Sequence, residues 1–410
     1  MRDNGELHAI EGVVDSGYAW YRLVVGLALS TIGGVGMWSV VVALPWVQAE
    51  FGVVRADASL PYTLTMVGFG AGSIFLGKLA DRYGIVVPVI AGTFALAIGY
   101  AAAAWSATLW LYALAHLAVG LGTAATFAPL LAHISLWFAR RRGAAIGILA
   151  SGNYLAGTVW PLVVAHGIET AGWRATFFGI AVFVLATMLP LCLLLRRPPP
   201  HVDAANSADR PVGSPATLGL TPRALQTLLV FAAITCCVAM SMPQVHLVAY
   251  CADLGYGPAR GAQMLSLMLA CGIASRLTFG FICDRIGGLR TLLIGSALQG
   301  LSLFLFLPFD GLVPLFVISA LFGLFQGGIV PSYAIIIREY FPPREAGVRV
   351  GTVITASLFG MALGGWMSGA IFDVTGSYNA AFVNGILWNL VNVWIAAWLL
   401  RRSLWRPAFA

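Results

Sequence analysis

The sequence has few charged residues. Of its 410 residues only 10% are Asp, Glu, Lys or Arg, whereas a soluble protein carries about 25%. Lysine is almost missing, since Lys78 is its one representative and arginine supplies the other basic side chains. A composition this poor in charge excludes a soluble enzyme and a nucleic-acid-binding protein, so the net charge of +7 needs another explanation.

Cysteine is scarce too, and no cysteine lies where a disulfide would cross-link two outer loops. All six lie within or at the ends of apolar stretches: Cys192, Cys236, Cys237, Cys251, Cys271 and Cys283. No disulfide framework is therefore expected. The sequence also contains no P-loop, no metal-ligand cluster and no nucleophile–base pair, so neither an enzyme nor a cofactor is predicted.

Long apolar stretches, in contrast, are abundant. Hydrophobic residues make up 60% of the chain, and the mean hydropathy is +0.88. Twelve stretches, the first over 22–45 and the last over 378–400, have the roughly 20 residues that a helix needs to cross a bilayer. The first is a full-length span and not a cleaved signal peptide. The predicted fold class is an all-α integral membrane protein with twelve transmembrane helices in two six-helix bundles.

Arginine is distributed unevenly between the two sides of the predicted membrane. With the N-terminus in the cytoplasm, the arginine runs at 140–142, 196–197 and 401–402 all fall in cytoplasmic segments. The arginines left in outer loops are Arg55, Arg174 and Arg260. By the positive-inside rule this asymmetry predicts that both termini are cytoplasmic. It also explains the positive net charge, and the expected location is a bacterial-type inner membrane.

The chain divides into two halves around its longest hydrophilic stretch, which is rich in Pro, Ala, Ser and Asp. Such a composition favours a flexible linker. The predicted domains are an N-terminal six-helix bundle over 1–197, a cytoplasmic linker over 198–224 and a C-terminal six-helix bundle over 225–410. Two complete halves predict a monomer surrounded by membrane lipid.

The two halves repeat one another. GKLADRYG at 77–84 matches GFICDRIGG at 280–288, and WFARRRGAAIG at 137–147 matches YFPPREAGVRVG at 340–351, both at an offset of 203 residues. Parallel repeats are typical of transporters in which two bundles rock around a site between them.

These motifs resemble those of a known family. The Gly-x-Leu-Ala-Asp-Arg-x-Gly run at 77–84 is similar to the cytoplasmic loop motif of the major facilitator superfamily. Within it, the chain resembles the monocarboxylate porters, including bacterial relatives of the oxalate/formate exchangers: DSGYAW at 15–20 and WFARRRGAAIG at 137–147 match their two signatures, the first only in part. The resemblance covers essentially the whole chain and implies a transporter of small organic anions.

Arg276 is the most informative single residue, because it lies in the middle of the predicted eighth span. An arginine at that depth costs about 2.5–3.5 kcal/mol on a translocon scale. The sixteen acidic residues all fall in loops, termini or span ends, so a structural ion pair is not indicated. The planar guanidinium suits a carboxylate. We therefore predict that Arg276 binds the carboxylate of the substrate, with a water-solvated structural arginine as the alternative.

His246, in the predicted seventh span, sits where the family resemblance implies a substrate contact. Its unperturbed pKa of about 6.5 suits either a hydrogen bond to a hydroxy or keto acid or a proton role. Packing alone is the alternative. Further polar candidates for the cavity, each of which also suits helix–helix hydrogen bonding, are Tyr62, Asn153, Tyr154, Gln326, Tyr333 and Ser357.

The mode of coupling stays open. The proton-coupled animal members of the resembled group have an acid one turn before the arginine, where this sequence has Gly272, and the oxalate exchangers have a lysine that corresponds to Ser357. A cavity with one positively charged residue, Arg276, suits a substrate with one negative charge better than a substrate with two. Proton symport of lactate, pyruvate or a similar acid is the leading prediction, and anion exchange is the alternative. A non-transporting carboxylate sensor and a drug exporter are further alternatives.

Two sets of residues are predicted to support motion. The resemblance implies a cytoplasmic gate made of the charged motif residues Asp81, Arg82, Asp284 and Arg285 with the partners Arg140, Arg141 and Arg344. Simple positive-inside anchoring is the alternative. Pairs of glycines four residues apart, which allow close helix packing, begin at Gly68, Gly143, Gly323 and Gly360.

Overall fold

The computed structural model describes residues 14–197 and 214–405. These residues form sixteen α-helices and no β-strand. In chain order the helices are α1 (Gly17–Gly33), α2 (Val35–Phe51), α3 (Arg55–Tyr83), α4 (Val86–Ala104), α5 (Leu109–Ala124), α6 (Ala128–Ser135), α7 (Arg142–Ala150), α8 (Gly152–Ala171), α9 (Trp173–Leu193), α10 (Pro222–Asp253), α11 (Pro258–Ile286), α12 (Gly288–Leu305), α13 (Leu312–Gln326), α14 (Ile329–Tyr340), α15 (Pro343–Thr375) and α16 (Tyr378–Trp405).

The helices supply twelve spans long and apolar enough to cross a membrane, as predicted. Four spans consist of two helices joined end to end: Gly17–Phe51, Leu109–Ser135, Arg142–Ala171 and Leu312–Tyr340. A helix satisfies its own backbone hydrogen bonds, which is why an apolar chain adopts it in lipid. The first and last spans, Gly17–Phe51 and Tyr378–Leu404, extend beyond the predicted 22–45 and 378–400, because helix formation continues into polar flanking residues.

Short polar side chains and glycines mark several helix ends. The side-chain oxygens of Ser16, Thr108 and Thr221 accept hydrogen bonds from backbone N–H groups three residues later, which satisfies donors that lack a partner within the helix. Gly172 and Gly376 follow α8 and α15 with φ values of 80° and 67°. Glycine adopts this left-handed region at no steric cost, so the chain turns sharply there.

The described residues form two compact units. The first contains residues 14–51 and 64–197, and the second contains residues 52–63 and 214–405. In the first unit α4 packs against α5 and α9, and α8 packs against α1 and α2. In the second, α10 packs against α11, α15 and α16. The predicted linker over 198–224 lies largely outside the described residues, and α10 begins at Pro222.

Glycine allows the closest helix contacts. A Cβ atom on Gly72 of α3 would lie 2.8 Å from the backbone oxygen of Leu121 on α5, and one on Gly360 of α15 would lie 2.6 Å from that of Ile234 on α10. Gly327 approaches the backbone of α11 in the same way. Three of the four predicted glycine pairs therefore lie at helix contacts. Gly143 and Gly147 differ, since a Cβ atom there would have no neighbour within 4 Å.

Candidate functional site

Arg276 lies near the middle of α11, a helix of 29 residues, and its side chain is half-buried. The neighbouring Ser275 faces the end of α13, where its hydroxyl accepts a hydrogen bond of 3.1 Å from the backbone N–H of Gly327, the residue that follows this helix. The close contact between α11 and α13 fixes the backbone beside the arginine. A guanidinium is thus held at mid-span on a rigid element.

His246 on α10 is fully buried and has both ring nitrogens engaged. Nε2 lies 2.7 Å from the carbonyl oxygen of Gly365 on α15, and Nδ1 lies 3.1 Å from the hydroxyl of Tyr378 on α16. Tyr62 is 3% exposed, and a Cβ atom on Gly365 would lie 3.0 Å from its ring. The structure therefore brings two of the predicted site residues together around one glycine.

Tyr333, Gln326 and Ser357 are also buried, and each makes a hydrogen bond within the second unit. The Tyr333 hydroxyl donates to Oδ1 of Asn392 at 3.0 Å, and Gln326 accepts from Nε2 of Gln244 at 2.8 Å. The Ser357 hydroxyl donates to the backbone oxygen of Val353. These bonds lie within or between helices, which is the alternative interpretation raised for polar residues in spans. Substrate contact by these side chains stays a prediction.

Asn153 and Tyr154 lie at the start of α8 in the first unit. Asn153 is half-buried and its backbone oxygen accepts a hydrogen bond of 3.3 Å from Nε1 of Trp38 on α2. Tyr154 is 9% exposed. The two residues follow the junction of α7 and α8, where the span changes from one helix to the next.

The predicted cytoplasmic gate residues all lie at or beside helix ends and are exposed. They are Asp81, Arg82, Arg140, Arg141, Asp284, Arg285 and Arg344. The Arg285 guanidinium lies 4.0 Å above the ring of Phe281. Within residues 14–197 and 214–405, neither Asp81 nor Asp284 takes part in the ion pairs described, which join Arg55 to Asp253, Arg174 to Glu50 and Arg349 to Glu345. Their gating role stays a prediction.

Arg55 is the main residue that the sequence analysis missed, since it was placed in an outer loop. It is the first residue of α3 and is 6% exposed. Its Nη1 donates to the Tyr378 hydroxyl at 2.7 Å, and its Nη2 lies 3.0 Å from Oδ1 of Asp253. The guanidinium also lies 4.8 Å above the ring of Phe372.

Asp373 of α15 completes this cluster. Its carboxylate accepts hydrogen bonds of 2.8 and 2.7 Å from the backbone N–H groups of Arg55 and Ala56. A carboxylate at the N-terminus of a helix satisfies free donors and opposes the positive end of the helix dipole. We call Arg55, Asp253, Asp373 and Tyr378 the outer latch. They lie at the starts of α3 and α16 and near the ends of α10 and α15.

A second buried arginine was also missed. Arg22 on α1 has no exposed surface; its Nη2 lies 2.7 Å from Nε2 of His133 and 3.0 Å from the backbone oxygen of Leu195. The Trp137 ring covers the guanidinium at 4.2 Å. The aromatic residues around positions 18–21 and 137–138 were the available signal, because aromatic faces attract arginine.

Comparison with known proteins identifies the family. The family model of the Major Facilitator Superfamily matches residues 26–312 and 252–408. The chain belongs to the Major Facilitator Superfamily. It is therefore a multi-pass membrane transporter, as the motifs predicted. Crystal structures of a bacterial homologue of the human lysosomal transporter Spinster have the same fold. One of them, in an inward-facing and occupied conformation, matches with a TM-score of 0.70 and 15% identity over 95% of this chain and 96% of that chain.

Several relatives of this transporter have informative names. Monocarboxylate transporter 13 of Rattus norvegicus is 29% identical over 80% of this chain and 75% of its own length. Monocarboxylate transporter 11 of Homo sapiens is 28% identical over 91% and 81%. The Fujikurins efflux protein of Gibberella fujikuroi is 26% identical over 74% and 67%. The resemblance to monocarboxylate porters is thus confirmed at the level of the family, and the relatives include exporters.

Proposed function

We propose that this transporter carries small monocarboxylates, such as L-lactate or pyruvate, by alternating access of its two halves. The observation that carries the proposal is the position of Arg276, a half-buried guanidinium near the middle of a membrane span. Ionisable residues at this depth are costly and mark substrate pathways. A guanidinium offers a carboxylate two parallel hydrogen bonds. The relatives named monocarboxylate transporters support this substrate class.

The remaining predicted contacts take secondary roles in this proposal. Asn153 and Tyr154 lie in the first unit, and substrate contact by them stays a prediction. His246 and Tyr333 orient the substrate only after exchanging their present partners, Tyr378 and Asn392. Arg276 alone is therefore the anchor, and the small alkyl part of the substrate contacts apolar side chains.

We propose proton symport as the coupling mode. The sequence offers no acid one turn before Arg276, since Gly272 occupies that position. The proton is then bound by His246, by the substrate carboxylate or by water. Anion exchange needs none of these and differs in one measurable respect, because exchange requires a counter-anion inside the vesicle.

The test is uptake of labelled L-lactate into proteoliposomes, with and without an inward proton gradient. The variant Arg276→Ala is compared with Arg260→Ala, which removes an exposed arginine from the same helix. We expect gradient-driven accumulation of lactate by the unsubstituted protein, the parent, and by Arg260→Ala. In Arg276→Ala we expect lactate uptake to fall by at least about 100-fold. Uptake that ignores the gradient and requires internal anion overturns symport, and normal uptake by Arg276→Ala overturns the anchor.

Efflux of larger organic acids is a second candidate, favoured by the relatives that are named efflux proteins. Arg276 would bind the acid group in this case as well. The two candidates differ in substrate size, so competition of labelled lactate uptake by longer aliphatic and aromatic acids separates them. Inhibition that grows with the size of the acid, together with weak lactate uptake, favours efflux.

A further inference from the structure

The outer latch is connected to His246 through the hydroxyl of Tyr378, which lies 2.7 Å from Nη1 of Arg55 and 3.1 Å from Nδ1 of His246. His246 in turn lies 2.7 Å from the carbonyl oxygen of Gly365. The four groups form one continuous chain of hydrogen bonds from the start of α3 to the middle of α15, and all of them belong to the second unit.

The groups at the two ends of this chain, the Gly365 carbonyl and the Arg55 guanidinium, determine which atom donates in every hydrogen bond. A carbonyl oxygen only accepts, so Nε2 of His246 carries the proton that it shares with Gly365. In a neutral imidazole Nδ1 is then the acceptor, and the Tyr378 hydroxyl donates to it. A guanidinium only donates, so the same hydroxyl oxygen accepts from Arg55. All donors and acceptors in this chain are paired only while His246 is neutral.

Protonation of Nδ1 breaks this order. Nδ1 becomes a donor, the Tyr378 hydroxyl proton loses its acceptor, and two cations flank a single oxygen atom. The attraction available to the new charge is limited, because Asp253 already pairs with Arg55 and Asp373 already binds the N-terminus of α3. The titratable and charged groups around His246 are Arg55 on α3, Tyr250 and Asp253 on α10, Asp373 on α15 and Tyr378 on α16.

The packing of α3 makes its first turns depend on this latch. Its backbone approaches α15 so closely that a Cβ atom on Gly369 would lie 2.9 Å from the backbone oxygen of Arg55. The Thr63 hydroxyl donates to the backbone oxygen of Ala362 at 3.2 Å. Once the polar bonds at Arg55 are lost, the first turns of α3 are therefore held to α15 by one side-chain hydrogen bond, that of Thr63, and by small-residue packing.

We infer that Nδ1 of His246 is a proton-binding site whose occupation releases the first turns of α3 from the outer latch. The neutral histidine stabilises the closed latch, and the stabilisation is lost as the pH on that side falls. By linkage, the histidine binds a proton more tightly when the latch is open. External acid thus favours release of the first turns of α3 from the outer latch.

A proton site of this kind deepens the proposed symport and rests on it, since His246 is one of the proton carriers named there, but its test needs no substrate and is independent of lactate uptake. Spin labels are attached to cysteines introduced at Val54, just before α3, and at Arg260 on α11, both of which are exposed. Cys271 is replaced by serine, since the other five native cysteines are buried. Distances are measured in nanodiscs at about pH 8 and about pH 5, which bracket histidine titration. We expect the fraction of molecules with the longer distance between the two labels to be at least about threefold larger at the lower pH.

His246→Gln is the decisive variant, because the glutamine amide both donates and accepts but does not titrate in this range. We expect it to keep the short distance at both pH values. His116→Gln is the matched control, since His116 is equally buried and bonds to the backbone oxygen of Tyr112, and it should respond as the parent does. In Tyr378→Phe the long distance should be populated at both pH values. An unchanged pH response in His246→Gln or in Tyr378→Phe overturns the inference, and so does a parent that does not respond.

Discussion

A hydrogen bond of 2.7 Å joins Nη1 of Arg55 to the hydroxyl of Tyr378, although 323 residues separate the two in sequence. Arg55 begins α3, and Tyr378 begins α16. Their contact places residues 52–63 in the second unit, whereas the rest of α3 belongs to the first. One helix is thus shared by both units. The contacts at the start of α3 stabilise the position of its first turns, so they are tested first by mutation.

Asp373→Asn should loosen the start of α3. The charged carboxylate of Asp373 accepts from two backbone N–H groups, one on each oxygen. Asparagine keeps one acceptor oxygen and no charge, so one of these bonds is lost at a cost of about 1 kcal/mol, equivalent to roughly fivefold in an opening equilibrium. Hydrogen–deuterium exchange of a peptide that covers residues 52–63 should accelerate by about that factor. Asp310→Asn changes another exposed aspartate and should leave this peptide unaffected. Equal protection in the two variants would contradict the capping role.

Two glycines on different helices should respond to alanine with opposite signs. A Cβ atom on Gly364 of α15 would lie 2.5 Å from the backbone oxygen of Val238, so Gly364→Ala should lower the stability by about 1–3 kcal/mol. A Cβ atom on Gly147 of α7 would meet nothing within 4 Å. Alanine is the better helix former there by about 0.5–1 kcal/mol, so Gly147→Ala should raise the stability. Thermal unfolding in detergent measures the stability of both variants. Stability changes of the same sign would contradict the difference in packing between Gly364 and Gly147.

The difference between Gly364 and Gly147 shows which features the sequence predicts and which depend on the three-dimensional packing. The twelve spans follow from the length of apolar stretches, which is local information, and the repeated motifs identify the family. Spacing alone predicts that Gly364 and Gly147 are equivalent, because both end a Gly-x-x-x-Gly pair. What separates them is whether another backbone lies opposite, and that depends on how the helix is rotated about its axis.

In the candidate site, too, local features were predictable from the sequence, whereas contacts between distant residues were not. The position of Arg276 in the middle of a span is visible in the sequence, because it interrupts an apolar stretch. Arg55 follows a turn and precedes an acid, which is typical of an exposed loop. Its burial depends on Asp253 and Tyr378, residues far along the chain. His246 was expected to face a substrate, yet its ring is fully engaged by α15 and α16, a relationship that no local pattern contains.

Arg22→Ala should destabilise the first unit strongly. The side chain is fully buried, and its removal leaves His133 and the backbone oxygen of Leu195 without their hydrogen bonds to the guanidinium. Hydrogen bonds to charged groups contribute about 1.5–3 kcal/mol each, and the lost packing against Trp137 adds to this. Arg196→Ala removes an exposed arginine and should be neutral within about 0.5 kcal/mol. Chemical denaturation of the two variants in the same detergent compares them, and similar midpoints would refute a structural role for Arg22.

Arg276→Lys separates the charge of the anchor from its shape. Lysine keeps the positive charge but presents a single ammonium group in place of the planar fork that binds a carboxylate through two bonds. If Arg276 binds the substrate in this way, the KM for lactate should rise about 10- to 100-fold, equivalent to about 1.4–2.8 kcal/mol, while the gradient still drives uptake. Arg260→Lys, on the same helix but exposed, should keep the parental KM. Competition by acetamide, which has the shape of acetate without its charge, should be negligible in every variant. An unchanged KM in Arg276→Lys would mean that charge alone matters at this position, and the bidentate contact would then have to be abandoned.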